Sequence, residues 1–361
     1  MTPVYVTYGA LLSPLGATKE AHYEALLANK TGIQCAQNSG FNAEDWFLAK
    51  IDHLEKNRFD DLFRKGCASL KDTIEEAVLS APTTRIIISS TKANLAAVDT
   101  DAFASIRAII ATEFNNPNEP LIISNACISG VMAINLAADL IRDGRCKDAV
   151  VIGVDALFDF VVFGFQSLFA MSDEPCRPFD QNRKGISLGE GFSAIWLSDQ
   201  RPNRFSVAYL AGASSNDANH ISGPSRTGEG LYRAISKSCL RSHVTPEQID
   251  FISAHGTGTV YNDDMESVAF NRLNLQHTPV NSLKGYFGHT LGAAGVIETY
   301  VSLLSMEYGV LFKSEGIINP GTVEPISLLC ENSHQPVRRL LKTASGFGGG
   351  NAAFILEQLE K

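Results

Sequence analysis

The chain has 361 residues, 45% of them hydrophobic, and a formal net charge of −9, with a pI near 5.4. That is enough apolar material for two domains or one large α/β unit. The negative mean field excludes non-specific binding to nucleic acid or to an anionic membrane surface. The seven cysteines, scattered from Cys35 to Cys330 without a CxxC pair, have neither zinc-site nor disulfide spacing and point to a reducing cytoplasm. The opening MTPVYVTYGALLSPLG lacks a basic signal-peptide region, and apolar runs such as 150–165 are broken by Asp155 and Asp159. A soluble, unprocessed chain without a membrane span is expected.

In chain order, PVYVTYG (3–9) alternates as a strand and runs through the LLSPLG turn into an amphipathic helix from Thr18 to about Leu27. Residues 38–65 are polar and mixed in charge; they read as a surface excursion, with Arg58, Arg64 and Lys65 on a solvated face. A helix is expected over 62–80, a strand at TRIIISS (84–90) and a helix over about 100–114. LIIS (121–124) suits a central strand, and 128–141 is apolar on nearly every face, as for a helix packed on both sides. Cys127 falls on the turn between them. There the unpaired N–H groups of the first helical turn and the helix dipole favour a thiolate, which predicts a lowered sulfur pKa. On this stretch alone Cys127 is equally a nucleophile or one more buried small side chain.

The strand DAVVIGVDA (148–156) is followed by LFDFVVFGFQSLFAMS, whose phenylalanines either line an apolar pocket or fill a core, core filling being the simpler reading. RPFDQNRKGISLGEG carries Asp180 and Arg183 three apart, read as an ion pair, and glycines that let backbone pass close to backbone before the strand FSAIWL. The second half repeats the plan. RFSVAYLAGASS is a strand, 225–242 a helix, TPEQID a capped turn, DFISAH a strand ending at His255, GTGT a turn, and NDDMES opens a helix. Lys284 then precedes a glycine-bracketed loop with His289 and a long helix whose small GAAG start permits close packing; LKTASGFGGGNAAFILEQL reads as a glycine-rich turn followed by a strand. Strand, reactive turn and small-residue helix recur in both halves, the pattern of an internal duplication.

In open α/β sheets ligands gather at the carboxyl ends of strands, so Cys127, His255, His289 and the 346–351 glycine loop are expected to meet in one pocket. A lone histidine in such a loop is usually structural; two of them, each beside glycine and joined by a turn-borne cysteine, point to chemistry. Backbone N–H groups of GFGGGN aimed into the cavity would stabilise an oxyanion on a thioester carbonyl. The combination suggests acyl transfer through a thioester.

The motifs VTYGALLSPLG, NACISG, GFQSLFAMS, RPFDQNRKGISLGEG, HGTGT with NDDMES, SLKGYFGHTLGAAGVIE and SGFGGGNAA, in this order over almost the whole chain, resemble the β-ketoacyl-[acyl-carrier-protein] synthases, condensing enzymes of fatty-acid and polyketide synthesis. The resemblance implies an α/β thiolase fold whose duplicated halves form a five-layered αβαβα core, with residues 1–200 carrying the nucleophile and 201–361 the two histidines and the glycine loop. It makes Cys127 the acyl acceptor. His255 and His289 would orient malonyl thioester, promote its decarboxylation and stabilise the enolate. Lys284 and Glu298 match a supporting charged pair, and Phe347 matches the gate of the acyl pocket, its N–H forming an oxyanion hole with that of Cys127. Thr257, Thr259, Ser345, Gly346 and Gly348 would surround substrate. The resemblance implies no cofactor and no metal. It implies a cytoplasmic dimer of like or unlike subunits, served by acyl- and malonyl-loaded acyl carrier protein. A local basic patch of Arg64, Lys65, Arg201 and Arg204 is expected to dock that carrier.

Three positions depart from the family pattern. Ile128 follows the nucleophile where a small polar residue is common, Ser345 stands where an aromatic is usual, and Gly350 replaces a threonine; together they predict a roomier, looser pocket mouth. The chain is also short for the family, mostly between about 38 and 85, where loops that shape carrier docking and the dimer surface would lie. Such compact synthases resemble those of aryl polyene and related pigment clusters as well as those of housekeeping elongation, and the specialised reading is preferred. A thiolase would need a second cysteine in SGFGGGNAA, and a chain-initiating synthase an asparagine in place of His289. A non-catalytic partner subunit of the chain-length-factor type typically lacks the nucleophile, which Cys127 retains.

Overall fold

The computed structural model describes residues 2–97, 101–203, 205–217 and 223–360. Among them eleven strands form one continuous sheet. In the first half, β1 (Tyr5–Leu12), β2 (Thr84–Ser89), β3 (Leu121–Ile123), β4 (Asp148–Asp155) and β5 (Gly191–Ser198) lie in the order β3-β2-β4-β5-β1. In the second half, β6 (Val207–Asn216), β7 (Phe251–Ser253), β8 (Pro279–Asn281), β9 (Arg339–Gly346) and β10 (Gly350–Gln358) lie as β8-β7-β9-β10-β6, the same order. In each half the last strand runs antiparallel to both neighbours, and the others pair in parallel. β1 and β6 join the halves, antiparallel, through Tyr5 opposite Ala208 and Val6 opposite Val207.

The principal helices are α1 (Lys19–Leu27), α2 (Arg58–Lys71), α3 (Ala104–Phe114), α4 (Ser129–Arg142), α5 (Asp159–Ser167), α6 (Glu229–Ser242), α7 (Val260–Arg272) and α8 (Ala294–Tyr308). Strand alternation sorts them into layers, because successive side chains point to opposite faces. Along β4, Ala149 and Val151 enter the core that holds α4 and α8, while Val150, Ile152 and Val154 enter an outer core with residues of α2 and α3. Along β10, Ala352, Phe354 and Leu356 face the inner core, and Ala353 and Ile355 an outer one with α6 and α7. Outer helices, the first half's strands, the inner helices, the second half's strands and their outer helices make the five-layered αβαβα core of the thiolase fold, the two strand layers being continuous through β1 and β6.

The two inner helices explain their own composition. Residues 294–306 of α8 are all buried, each large aliphatic among them contributing about 1.5–3 kcal/mol of burial. α4 and α8 touch backbone to backbone: a Cβ on Gly295 would lie 2.7 Å from the Val131 nitrogen, and one on Gly130 2.9 Å from the Val296 nitrogen. No side chain fits at that crossing. No helix among the described residues is long and apolar enough to cross a membrane.

Several expectations need correction. Residues 38–65 are not simply a surface excursion: strand Trp46–Ala49 pairs with Ile33–Ala36, and α2 already begins at Arg58. Phe59, Leu62, Phe63, Cys67 and Leu70 of α2 are fully buried, a helical spacing masked by the charges between them. Arg58 is not on a solvated face either, since its guanidinium pairs with the buried carboxylate of Glu190 and donates to the Ile51 carbonyl at 2.9 Å. The helix expected over 62–80 is α2 followed by a separate turn, Glu76–Leu79. Asp180 and Arg183 do not form an ion pair with each other: Asp180 accepts the N–H groups of Ile318 and Asn319, and Arg183 pairs with Asp264 at 2.6 Å and Asp263 at 3.7 Å. Finally, the glycine turn at the end is flanked by strands on both sides, β9 and β10, in register from Arg339–Glu357 to Gly346–Gly350.

Candidate active site

Cys127 lies on a tight elbow between β3 and α4. Ala126 before it has φ +45°, a left-handed conformation costly for a residue with a Cβ. The elbow is held by the Ser129 hydroxyl, which donates to the Ala126 carbonyl at 2.6 Å and accepts the Asn125 N–H at 2.7 Å. The sulfur is thereby presented to a cavity of about 300 Å³ lined also by His255, His289, Thr257, Thr259, Ser345, Gly346 and Phe347.

The loop carrying His255 hangs from two buried acids near the start of α7. Glu266 accepts the N–H groups of His255 (2.8 Å) and Gly256 (2.6 Å), and Asp263 those of Thr257 (2.8 Å) and Gly258 (3.1 Å). The loop carrying His289 is clamped from the other side. The His289 N–H donates to the Ser187 carbonyl and its carbonyl accepts the Gly189 N–H; the buried Asp155 accepts the Gly292 N–H at 2.7 Å. Gly288 stands at φ +64°, and a Cβ there would lie 2.8 Å from the Leu188 carbonyl oxygen. Of the glycines of GISLGEG, Gly189 serves the second histidine, since a Cβ there would run into the Phe287 carbonyl.

The three side chains meet. The Nε2 of His289 is 3.0 Å from the Cys127 sulfur, and the sulfur and a ring nitrogen of each histidine all lie within 4.8 Å of one another. The two rings stand edge to face, 5.3 Å between centroids. Their hidden nitrogens fix the tautomers. The Leu291 N–H donates to His289 Nδ1 at 3.2 Å, and the Lys284 ammonium lies 3.2 Å from His255 Nδ1. Each Nδ1 is thus an acceptor, and each neutral ring carries its proton on Nε2. Burial holds both imidazoles well below their usual pKa, with Lys284 adding to the effect on each. Three N and S donors this close could hold a metal ion by distance alone. The protonated Nε2 atoms and the neighbouring ammoniums instead suit a developing negative charge.

Lys284 reaches Glu298 Oε1 at 2.6 Å, and a second buried lysine, Lys342, lies 2.7 Å from Oε2 in an ionic contact. Lys342 was not singled out in the sequence, although a lysine inside the apolar run RLLKTAS is a visible signal. Asp155, Asp263 and Glu266 were likewise missed as supports, the last two being seen only as acids at a helix start.

Cys127 itself departs from expectation. Burial pushes its thiol up to about 11, outweighing Lys284 and the Phe347 N–H, both of which favour the thiolate. The helix start does not lower the resting pKa, because the sulfur is desolvated on every side. Gly348 does not line the cavity; Gly349 does. The phenylalanine-rich segment after β4 does both: Leu157, Val161, Val162 and Met171 are buried in one core with Phe158 and Phe163 packed against it, while Phe165, Leu168, Phe169 and Ala170 line the cavity, Phe169 is 93% exposed, and Phe165 stacks on Phe347 at 5.6 Å.

Two of the three departures compensate each other. Ile128 is buried, and its Cδ1 lies 2.8 Å from where a Gly350 side chain would begin, so the larger residue fills the space the smaller one vacates. The Ser345 hydroxyl donates to Asn351 Oδ1 at 2.7 Å, and Asn351 donates to Asp217 at 3.1 Å. The basic patch is not assembled. Arg64 pairs with Glu113 and Lys65 with Asp61, Arg201 lines a separate hollow with Phe205 and Glu307, and Arg204 lies outside the described residues.

Comparison with known proteins identifies the family. The β-ketoacyl synthase N-terminal domain matches residues 67–202 and the C-terminal domain residues 207–317. The chain belongs to the β-ketoacyl synthase family. This β-ketoacyl synthase is 32% identical over 307 residues to the tetracenomycin polyketide synthase ketoacyl synthase alpha subunit of Streptomyces glaucescens, covering 81% of this chain and 72% of that one. It is 28% identical over 377 residues to the mitochondrial 3-oxoacyl-[acyl-carrier-protein] synthase of Arabidopsis thaliana, covering 97% and 80%. Its fold matches the ketosynthase in complex with its chain length factor from Xenorhabdus doucetiae with a TM-score of 0.88 at 24% identity, over 99% of this chain and 98% of that one. Alignment with such relatives spans from 60% to 88% of their length.

Proposed function

We propose that the protein catalyses decarboxylative condensation of a malonyl thioester with an acyl chain held on Cys127, both delivered by an acyl carrier protein. The observation that carries this reading is the convergence of one sulfur and two Nε2–H groups on a single cavity. In the first step the Cys127 sulfur attacks the carrier thioester, its carbon–sulfur bond to the carrier breaks, and the thiol proton ends on the departing carrier sulfur. The N–H of Phe347, which favours the thiolate form of the sulfur, and that of Cys127 would receive the oxyanion.

In the second step the two Nε2–H groups hold the malonyl thioester oxygen while CO₂ leaves, so charge develops where donors already point. The enolate carbon then attacks the Cys127 acyl carbonyl and expels the sulfur, giving a β-ketoacyl thioester two carbons longer. Lys284 and Glu298 act behind His255, Thr257 and Thr259 line the polar side of the cavity, Ser345 and Gly346 shape its glycine-loop wall, and Phe347 with Phe165 closes the apolar side.

A division at residues 1–200 and 201–361 is supported by the duplicated strand order and by the break between the family matches at 202 and 207. Pairing with a like or ketosynthase-like subunit is favoured by the relatives solved with a chain length factor, and a cytoplasmic setting by the seven free cysteines. A specialised polyketide or aryl polyene pathway remains preferred over housekeeping elongation. The test is reconstitution with acyl-loaded and malonyl-loaded carrier. A β-ketoacyl product two carbons longer is expected; folded protein that gives none refutes the reading.

A further inference from the structure

Lys342 is a charged group beside the reacting centre that the steps above do not use. It lies in β9 with no exposed surface, and its ammonium donates to the carbonyls of Thr343 (2.8 Å), Ser253 (3.1 Å) and Ala254 (3.4 Å). An apolar side chain would suit that strand better, because burying an ammonium is costly unless it is paired. Its partner is Glu298, which also holds Lys284. Lys284 in turn contacts both the ring and the carbonyl of His255.

One carboxylate shared by two ammoniums has a simple electrostatic consequence. A lone Lys284–Glu298 pair sums to zero, whereas the triad carries an excess positive charge in a place where water cannot screen it. We propose that Lys342 is a positioning residue of the active site: by occupying one oxygen of Glu298 it leaves the Lys284 ammonium uncompensated against His255, which keeps that ring neutral with its proton on the cavity side. The same excess charge favours the anion formed as CO₂ leaves. This inference rests on the proposed condensing function for its catalytic consequence, but its effect on His255 stands independently.

The other charged groups around His255 fit this account. Glu266 lies beneath it and accepts the Thr343 hydroxyl at 3.3 Å; burial pushes its carboxyl up to about 7, so in the range where imidazoles usually titrate it is largely protonated and does not cancel the excess. Asp263 is matched by Arg183. Across the cavity stand His289 and Cys127, and beyond them Lys92 is paired with Asp155 at 3.0 Å. Burial and Lys284 act most strongly on His255, and Lys342 adds to them in the same direction.

The experiment follows the His255 ring directly, by nitrogen chemical shifts of labelled imidazoles in the full-length protein as pH is varied, with malonyl-carrier decarboxylation measured in parallel. In Lys342→Met, His255 is expected to titrate at higher pH than in the parent and the acid limb of the decarboxylation profile to move up with it. The rate should fall about tenfold or more. Lys342→Arg keeps the charge and should keep the parent titration. Should Lys342→Met not fold, Lys342→Met with Glu298→Gln removes one charge of each sign, and His255 is then expected to titrate as in the parent. A folded Lys342→Met protein whose His255 titration is unmoved, or a double variant in which it moves up, overturns the proposal. A parent protein without decarboxylation would instead refute the function, while the ring titration would still decide the role of Lys342.

Discussion

The Nε2 of His289 lies 3.0 Å from the Cys127 sulfur, and the opposite ring nitrogen accepts the Leu291 N–H, so the proton sits between ring and sulfur. His289 in this tautomer is a donor and not the base that takes the thiol proton. Cys127→Ala should therefore abolish condensation, because no acyl group can be held, yet leave malonyl-carrier decarboxylation, whose donors are untouched. Product analysis and CO₂ release measured side by side check this. Equal loss of both would contradict the division of labour.

Ile128 and Gly350 behave as a size pair. Ile128→Ala should cost about 2–5 kcal/mol as a cavity, and Gly350→Thr about 1–3 kcal/mol as an overpacked contact. Made together they should cost less than the sum of the two by at least about 1 kcal/mol, measured by chemical denaturation. Additive losses would mean the two positions do not share space.

Asp263 uses both carboxylate oxygens on backbone donors: Oδ1 accepts the Thr257 N–H, and Oδ2 those of Phe179 and Gly258. Asparagine keeps one such oxygen and turns an N–H₂ toward the other donors. Asp263→Asn should cost roughly 3 kcal/mol or more, since it leaves buried N–H groups unpaired and Arg183 short of a partner. It should also slow decarboxylation by displacing the His255 loop. A loss under about 1 kcal/mol, within the range of an ordinary hydrogen bond, would show that the loop is held elsewhere.

Acid should destabilise the protein through its buried imidazoles. His22, bonded to Ser13 and Thr18, is lowered from 6.5 to about 4 by burial, and His255 and His289 are also held low. For a depressed folded pKa, stability is fully present above the unfolded value and is lost as pH falls, because the unfolded chain takes up protons the folded one refuses. His22 alone accounts for about 3 kcal/mol across that window. Glu266 opposes them: raised from 4.5 to about 7, its contribution is lost as pH rises through 7. Burial raises Asp263 and Asp139 as well, which oppose the imidazoles in the same sense as Glu266; with His255 and His289 held well below their usual value beside His22, the denaturant midpoint should still fall as pH is lowered from about 6.5 to about 4. A flat midpoint over that range would contradict the burial of these rings.

Much of this arrangement was legible in the sequence, for identifiable reasons. The inner helices α4 and α8 announce themselves because a helix packed on both sides has no polar face, and Gly130 and Gly295 mark their crossing. His255 and His289 each stand beside a glycine, Gly256 and Gly288, that a crowded turn requires, and Cys127 falls where an apolar strand gives way to an apolar helix. Helix α2 was hidden because its buried spacing from Phe59 to Leu70 is interleaved with charges that reach solvent. Strand β9 was hidden by Lys342 and Thr343, polar residues whose partners lie far away in sequence. The raised thiol pKa of Cys127 also escaped, since a helix start is local and visible whereas desolvation is a property of the closed cavity.

The proposed chemistry requires the Cys127 sulfur to accept an acyl group. Incubation with an acyl-carrier thioester, followed by mass spectrometry of the peptide containing Cys127, tests this directly. An acyl adduct on Cys127 that is absent from Cys127→Ala is the predicted result. Folded protein that remains unmodified would contradict it and favour a non-catalytic partner subunit instead.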